Sequence, residues 1–156
     1  GTRPILAEIQ ALTSPTGFGM PRRAAEGMDY NRMVLLIAII EKKLGITMQN
    51  QDAYINVIGG LKIDETSADL SVICSIVSSL KNKSLDPGTV FLGEAGLSGE
   101  IRAVSNIKLR VAEAARLGVS KAVIPAANLK AASEEKGITL IPVKTIMDVL
   151  REDIYV

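Results

Sequence analysis

Two residues of this chain, Ser67 and Lys108, could together do nucleophilic chemistry. A serine hydroxyl is a weak nucleophile that needs a base, and because the chain contains no His, a lysine is the available candidate. A lysine acts as a base only where burial favours its neutral form. Ser67 is expected in the first turn of a helix, where backbone N–H groups stabilise an oxyanion. The spacing is equally consistent with a helix-starting serine and a solvated lysine, so both interpretations stay open.

A second candidate set consists of basic residues suited to phosphate recognition. Its members lie on a Pro/Gly-rich segment, on the helix that follows it, after a glycine pair and on an expected hairpin: Arg22, Arg23, Arg32, Lys62 and Arg102. The alternative is a scatter of solubilising charges. The formal net charge of +1, from 18 basic and 17 acidic residues, neither indicates nor excludes a nucleic-acid partner.

Several other functions are excluded by missing motifs. The sequence has no G-x-x-x-x-G-K-[ST] loop for ATP, and the glycines of GEAGLSGE do not form a dinucleotide-binding fingerprint. Without His there is no imidazole metal site. The single cysteine, Cys74, cannot form an internal disulfide, which fits a reducing cytosol. The longest apolar run, residues 33–40, is far short of the roughly 20 residues that span a bilayer, so we expect a cytoplasmic protein without a membrane partner.

The elements that must position these residues follow from hydrophobic patterning. A chain of 156 residues with 47% hydrophobic and 3% aromatic residues fits one domain with an aliphatic core. Asp29 is expected to cap a buried helix over residues 30–44 that Gly45 ends, Asp64 or Thr66 to cap a second helix, and Asn106 a third. Residues 13–27 are expected to form a long loop. Further helices are predicted over 129–136 and 145–151, and strands over 5–12, 53–58, 90–97, 99–104, 122–125 and 138–143. This alternation indicates an α/β sandwich.

Several sequence runs resemble the C-terminal domain of the RadA (Sms) family of bacterial DNA-repair proteins. The runs are SPTGFGMPRRAAEGMDYNRMVLLIAIIEK, QNQDAYINVIGGLKIDE, FLGEAGLSGEIRAVS and RVAEAARLG, and the similarity covers nearly the whole chain. It implies a Lon-peptidase-like fold, an α+β sandwich of the ribosomal protein S5 domain 2-like type. Members of the family also carry a zinc motif and a RecA-like ATPase, neither of which occurs here, and the chain begins GTRP. We therefore expect residues 1–156 to be a single domain cut from a longer protein.

The resemblance also implies a function. Family members are ATP-dependent, ring-forming DNA motors of recombination and branch migration, and their Lon-like domain serves as an assembly scaffold and DNA-contacting surface. The expected partners are single-stranded or branched DNA and further copies of the chain in a hexameric ring. ATP, Mg and Zn would belong to the missing parts, and no cofactor is expected in this one. Carried onto this sequence, the DNA contacts fall on Arg23, Arg32, Lys62 and Arg102, with Arg22 as a neighbour. A purely structural ring-forming domain is an alternative.

Within the same resemblance, Ser67 and Lys108 occupy the positions of the Lon catalytic dyad. The D-G-P-S-A-G context of the Lon nucleophile matches DETSAD at residues 64–69, and its G-G-L-K matches SNIK at residues 105–108. Glu65 and Asp69 replace the flanking glycines, and Leu92 stands where Lon has a threonine. A carboxylate beside the nucleophile opposes formation of an oxyanion. The pair is therefore predicted to be inactive, with a working Ser/Lys peptidase as the alternative.

Overall fold

This computed structural model describes residues 6–58 and 66–156, which contain eight strands and five α-helices. The strands are β1 Glu8–Pro15, β2 Arg23–Glu26, β3 Gln51–Ile58, β4 Thr89–Phe91, β5 Glu94–Ala95, β6 Ile101–Arg102, β7 Lys121–Pro125 and β8 Thr139–Val143. The helices are α1 Tyr30–Leu44, α2 Asp69–Lys81, α3 Ile107–Arg116, α4 Leu129–Ala132 and α5 Ile146–Leu150. Short 3₁₀ turns at Thr66–Ala68 and Ala126–Asn128 precede α2 and α4. The expected mixed α/β class is confirmed.

The first sheet has the order β1-β3-β2, with β1 antiparallel and β2 parallel to β3. Period-two alternation sends Ala53, Ile55 and Val57 of β3 into the core, where α2 packs against β1. The free edge of β1 is partly covered by that helix, because the Thr13 amide donates a 2.9 Å hydrogen bond to the Ser79 hydroxyl.

The second sheet is parallel throughout, with the order β4-β7-β8. Its central strand β7 is buried from Ala122 onwards, as expected for a strand covered on both faces. Helices α3 and α4 contribute Val111, Ala114 and Ala132 to the apolar cluster around Ala122 and Ile124. Strands β5 and β6 form a small antiparallel hairpin beside the two sheets.

Helix α1 shows most directly how local sequence signals fix an element. The Asp29 carboxylate accepts a 2.8 Å hydrogen bond from the Arg32 amide, and Gly45 ends the helix in the left-handed conformation at φ 66°. Met33, Leu36 and Ile40 are fully buried in the larger core cluster. The predicted bounds and caps of this helix are confirmed.

Several other local predictions are wrong in part. The strand predicted over residues 90–97 is divided into β4 and β5, and the helix predicted over residues 129–136 ends at Ala132. Residues 13–27 are not one long loop, because β1 extends to Pro15 and residues 23–26 form β2. The β2 sequence RAAE has little intrinsic preference for a strand, so its strand conformation depends on pairing with β3. Thr66 does not cap α2, since its hydroxyl donates to Glu94, and Asp64 lies outside the described residues. Asn106 precedes α3 at φ 56° without a side-chain cap hydrogen bond in the described part of the chain.

The capping bond of α1 should contribute measurably to stability. We expect Asp29→Ala to lower the free energy of unfolding by about 0.5–2 kcal/mol, because the first turn of α1 loses its side-chain acceptor. Urea denaturation followed by circular dichroism measures this. Asp153→Ala removes a carboxylate from a highly exposed position and is the matched control, with an expected change within about 0.5 kcal/mol. Equal effects of the two substitutions would contradict the capping role.

Candidate functional site

Ser67 lies in the 3₁₀ turn that leads into α2, close to the position expected from the sequence, and is 8% exposed. Its carbonyl accepts a 3.0 Å hydrogen bond from the Gly93 amide, and the Gly93 carbonyl accepts one of 3.1 Å from the Leu70 amide. A Cβ at Gly93 would stand 2.7 Å from Cγ2 of Ile101, so only glycine fits this close approach. The serine turn is thus fixed to the segment that joins β4 and β5.

A buried carboxylate, Asp69, begins α2 two residues after Ser67 and is 2% exposed. It accepts hydrogen bonds from Nε of Arg32 at 3.0 Å, from a second nitrogen of the same guanidinium, and from the Ala95 amide at 3.0 Å. Burial raises the pKa of the Asp69 carboxyl, and these hydrogen bonds act against that rise. The hydrogen bonding of Arg32 to the Asp69 carboxylate raises the pKa of Arg32. The guanidinium of Arg32 is therefore committed to an ion pair that joins α1, α2 and β5.

The hairpin β5–β6 carries the next arginine, Arg102, which is 56% exposed. Its guanidinium lies 3.5 Å from the Glu94 carboxylate and 3.1 Å from the Glu100 carboxylate. Glu94 also accepts a hydrogen bond from the hydroxyl of Thr66. The structure therefore places Arg32, Arg102 and the turn around Ser67 in one charged cluster built on Asp69 and Glu94.

Lys108 lies in the first turn of α3, as expected, but it is exposed and paired with another residue. Its ammonium is 2.6 Å from the Glu134 carboxylate, and its side chain is 58% exposed. This ion pair lowers the pKa of Glu134. A lysine that serves as a base needs burial, which this position does not supply. Nothing in the described part of the chain supports the peptidase alternative.

Arg22 and Arg23 flank the start of β2, at the opposite end of that strand from α1. The guanidinium of Arg23 donates to the carbonyls of Gln51 and Met48, the latter at 2.8 Å, so it braces the start of β3. Arg22 is exposed, and its amide donates a 2.7 Å hydrogen bond to the Asp52 carboxylate. This bond is the largest cause of the lowered pKa of Asp52.

Of the predicted basic residues, Lys62 lies outside the described residues. For the others, DNA contact stays a prediction. The sequence analysis did not identify Asp52 and Glu94 as site residues. Asp52 accepts a hydrogen bond from the Arg22 amide and Glu94 one from the Thr66 hydroxyl, and no local pattern marks a carboxylate whose partner lies about 30 residues away.

Among residues 6–58 and 66–156, no three acidic, histidine or cysteine side chains group as a metal ion would require. Within the same ranges, no helix is both long and apolar enough to cross a bilayer.

Comparison with known proteins gives the family. Residues 18–128 match the model of a family described as subunit ChlI of Mg-chelatase. The chain belongs to this ChlI family. The matched residues include the turn at Ser67, the ion pair of Arg32 with Asp69, and most of the second sheet.

Curated relatives are proteins named DNA repair protein RadA, which confirms the resemblance to that group. The chain is 53% identical over 151 residues to the Bacillus subtilis protein, covering 97% of this chain and 33% of that protein. The protein of Halalkalibacterium halodurans is 51% identical over 96% of the chain and 33% of its own length. That of Streptococcus pneumoniae is 48% identical over 97% of the chain and 36% of its own length. The chain thus spans about a third of the length of these relatives.

The Arg32–Asp69 pair should contribute far more to stability than the exposed ion pairs of Arg102. We expect Arg32→Ala to lower the free energy of unfolding by about 3 kcal/mol or more, because it leaves the buried Asp69 carboxylate without its cation. Arg102→Ala removes an arginine from a surface pair and should cost less than about 1 kcal/mol. Urea denaturation measures both. A similar small loss of stability in the two variants would show that Asp69 does not depend on Arg32.

Proposed function

We propose that this chain is the Lon-like domain of an ATP-dependent DNA repair protein of the RadA kind, and that it binds DNA phosphates and assembles with further copies of itself. The observation that carries the proposal is the 53% identity to a RadA protein across 97% of the chain. Residues 1–156 would form one domain, with the ATPase and zinc-binding parts elsewhere in the cytoplasmic full-length protein.

DNA binding is proposed to rest first on the arginines whose side chains face solvent. Arg22 is exposed at the start of β2, and Arg102 is more than half exposed on the hairpin. A phosphate can replace the half-buried Glu100 carboxylate as a partner of Arg102, since Nε and a terminal nitrogen of the guanidinium share a single Glu100 oxygen, Oε2, where a phosphate can offer two. The guanidinium groups of Arg23 and Arg32 already have acceptors within the protein. In this proposal they stabilise the elements that carry Arg22 and Arg102 and add positive charge near them.

The salt dependence of DNA binding tests this proposal. We expect the chain to bind fluorescently labelled duplex DNA with an affinity that falls as salt rises. The double substitution Arg22→Ala/Arg102→Ala should lower the slope of log K against log salt by about 0.9 for each phosphate that the variant no longer binds. Fluorescence anisotropy at several salt concentrations measures the slope.

The matched control is Arg151→Ala, which removes an arginine that is even more exposed than Arg102. Arg151→Ala should change the salt slope less than Arg22→Ala or Arg102→Ala does alone. An equal change would show that only total charge matters, and an unchanged slope in the double variant would overturn the proposed phosphate binding by Arg22 and Arg102.

Self-assembly is proposed to use the outer face of the first sheet. Leu12 lies opposite Tyr54 in the β1–β3 register, and Leu12 and Ile58 are both exposed on that face. Ile58 is separated from the Leu12–Tyr54 pair by Gln10 and Asn56, so the proposed contact centres on Leu12 and Tyr54, an apolar pair that a second subunit would cover. The RadA resemblance supplies the partner, a further copy of the chain.

Substitution on that face should therefore weaken assembly without unfolding the chain. We expect Leu12→Glu to shift the sedimentation distribution towards the monomer, because it places a charge among the apolar side chains that the second copy would cover. Leu117→Glu introduces the same charge at an exposed position after α3 and is the control. If Leu12→Glu sediments as the unsubstituted chain does, the outer face is not the assembly surface.

A further inference from the structure

The connection between β1 and β2, residues 16–22, is a short loop whose residues 17–20 are exposed and whose two ends are hydrogen-bonded to the rest of the chain. Oδ1 of Asp52 accepts a hydrogen bond from the Thr16 hydroxyl at 3.0 Å and another from the Arg22 amide at 2.7 Å. The Thr16 amide donates to the Asn50 carbonyl at 2.9 Å. One carboxylate thus closes both ends of the loop, which we call the Phe18 finger.

The tip of the Phe18 finger is apolar and open to solvent. Phe18 is fully exposed and Met20 is 88% exposed. Among the described residues other than the chain neighbours, no atom lies within 4 Å of a Cβ built at Gly17 or Gly19, and Gly19 adopts a φ of +76°. The aromatic ring therefore stands between two glycines in open space.

The surroundings of this ring favour a nucleic acid over a protein partner. The charged residues at the base of the finger are Arg22, Arg23 and Asp52, and Oδ1 of Asp52 already accepts hydrogen bonds from the loop itself. Protein interfaces are built on larger contiguous apolar patches, whereas the apolar tip of the finger is limited to Phe18 and Met20, which Gly19 separates. Phe18 is an open aromatic ring four residues before the exposed Arg22. Proteins bind single strands with such residues, the ring stacking on a base and the cation pairing with phosphate.

We propose that the Phe18 finger binds single-stranded DNA by stacking Phe18 on an unpaired base, with Arg22 on a neighbouring phosphate. The proposal rests on the proposed DNA binding and adds the residue that would contact an unpaired base. Bases in a duplex are already stacked and paired, so the ring reaches them only at the cost of unstacking. Bases in a single strand are free to stack on it.

The absence of tryptophan from the sequence gives a direct probe of this interaction. In Phe18→Trp the only tryptophan lies at the tip of the finger and retains the aromatic surface. We expect its fluorescence to be quenched on titration with a single-stranded oligothymidylate, because a stacked base quenches indole emission. Leu117→Trp, at an exposed position after α3, is the matched control and should not be quenched.

Affinity measurements complete the experiment. Phe18→Ala should weaken binding of the oligothymidylate about 5- to 150-fold, the effect of removing one base stack, while duplex affinity and the salt slope stay unchanged. Phe18→Tyr should retain binding and Phe18→Leu should not. Because the side chain is fully exposed, none of these substitutions should alter the thermal melting of the chain.

The possible results separate this inference from the proposed function. If the unsubstituted chain binds neither single-stranded nor duplex DNA, the proposed DNA binding and this inference both fail. If Arg22→Ala/Arg102→Ala weakens binding but Phe18→Ala does not, the proposed DNA binding stands and the stacking role is wrong. If Phe18→Ala changes sedimentation while oligothymidylate affinity is unchanged, the finger is an assembly element and the inference is overturned.

Discussion

The carboxylate of Asp69 is the constraint around which the candidate site is arranged. A buried carboxylate is costly unless hydrogen bonds and a cation compensate it, and here Arg32 of α1 and the Ala95 amide of β5 do so. The first residue of α2 is therefore tied to another helix and to the hairpin. The turn at Ser67 directly precedes this residue, so its position follows from the same interactions. Removal of any one partner leaves the charge poorly compensated, which makes the three elements depend on one another.

The same carboxylate decides what the turn at Ser67 can do. A negative charge two residues from the hydroxyl, in a buried setting, disfavours a second negative charge on a bound oxyanion. The Lys108 ammonium is paired with Glu134 and largely exposed. The features that a serine nucleophile requires, a desolvated base and a favourable potential, are absent from the described residues near both positions. The turn at Ser67 is therefore described by its structural links, through Asp69, to α1 and β5.

Carboxylates elsewhere in the chain also determine which arginine side chains are exposed to solvent. Glu94 and Glu100 flank Arg102, and Asp52 closes the Phe18 finger through backbone and hydroxyl groups and leaves the Arg22 side chain exposed. A formal net charge near zero thus conceals an uneven surface, on which Arg22 is exposed while Arg102 is paired with two carboxylates. The relatives are about three times as long as this chain, so its surfaces are proposed to act beside those of other domains.

The sequence by itself determined those features of the fold that depend on residues close together in the chain. Helix α1 with its Asp29 cap and Gly45 end, the buried central strand β7, the mixed α/β class and the resemblance to RadA proteins were all legible, because caps, periodicity and motifs are local signals. The tertiary structure alone decided that residues 23–26 form a strand, since their partner β3 begins 25 residues later. It also decided that Arg32 is paired with Asp69, 37 residues away, and that Phe18 is left in solvent. Pairing and exposure depend on residues distant in sequence, and no local pattern encodes them.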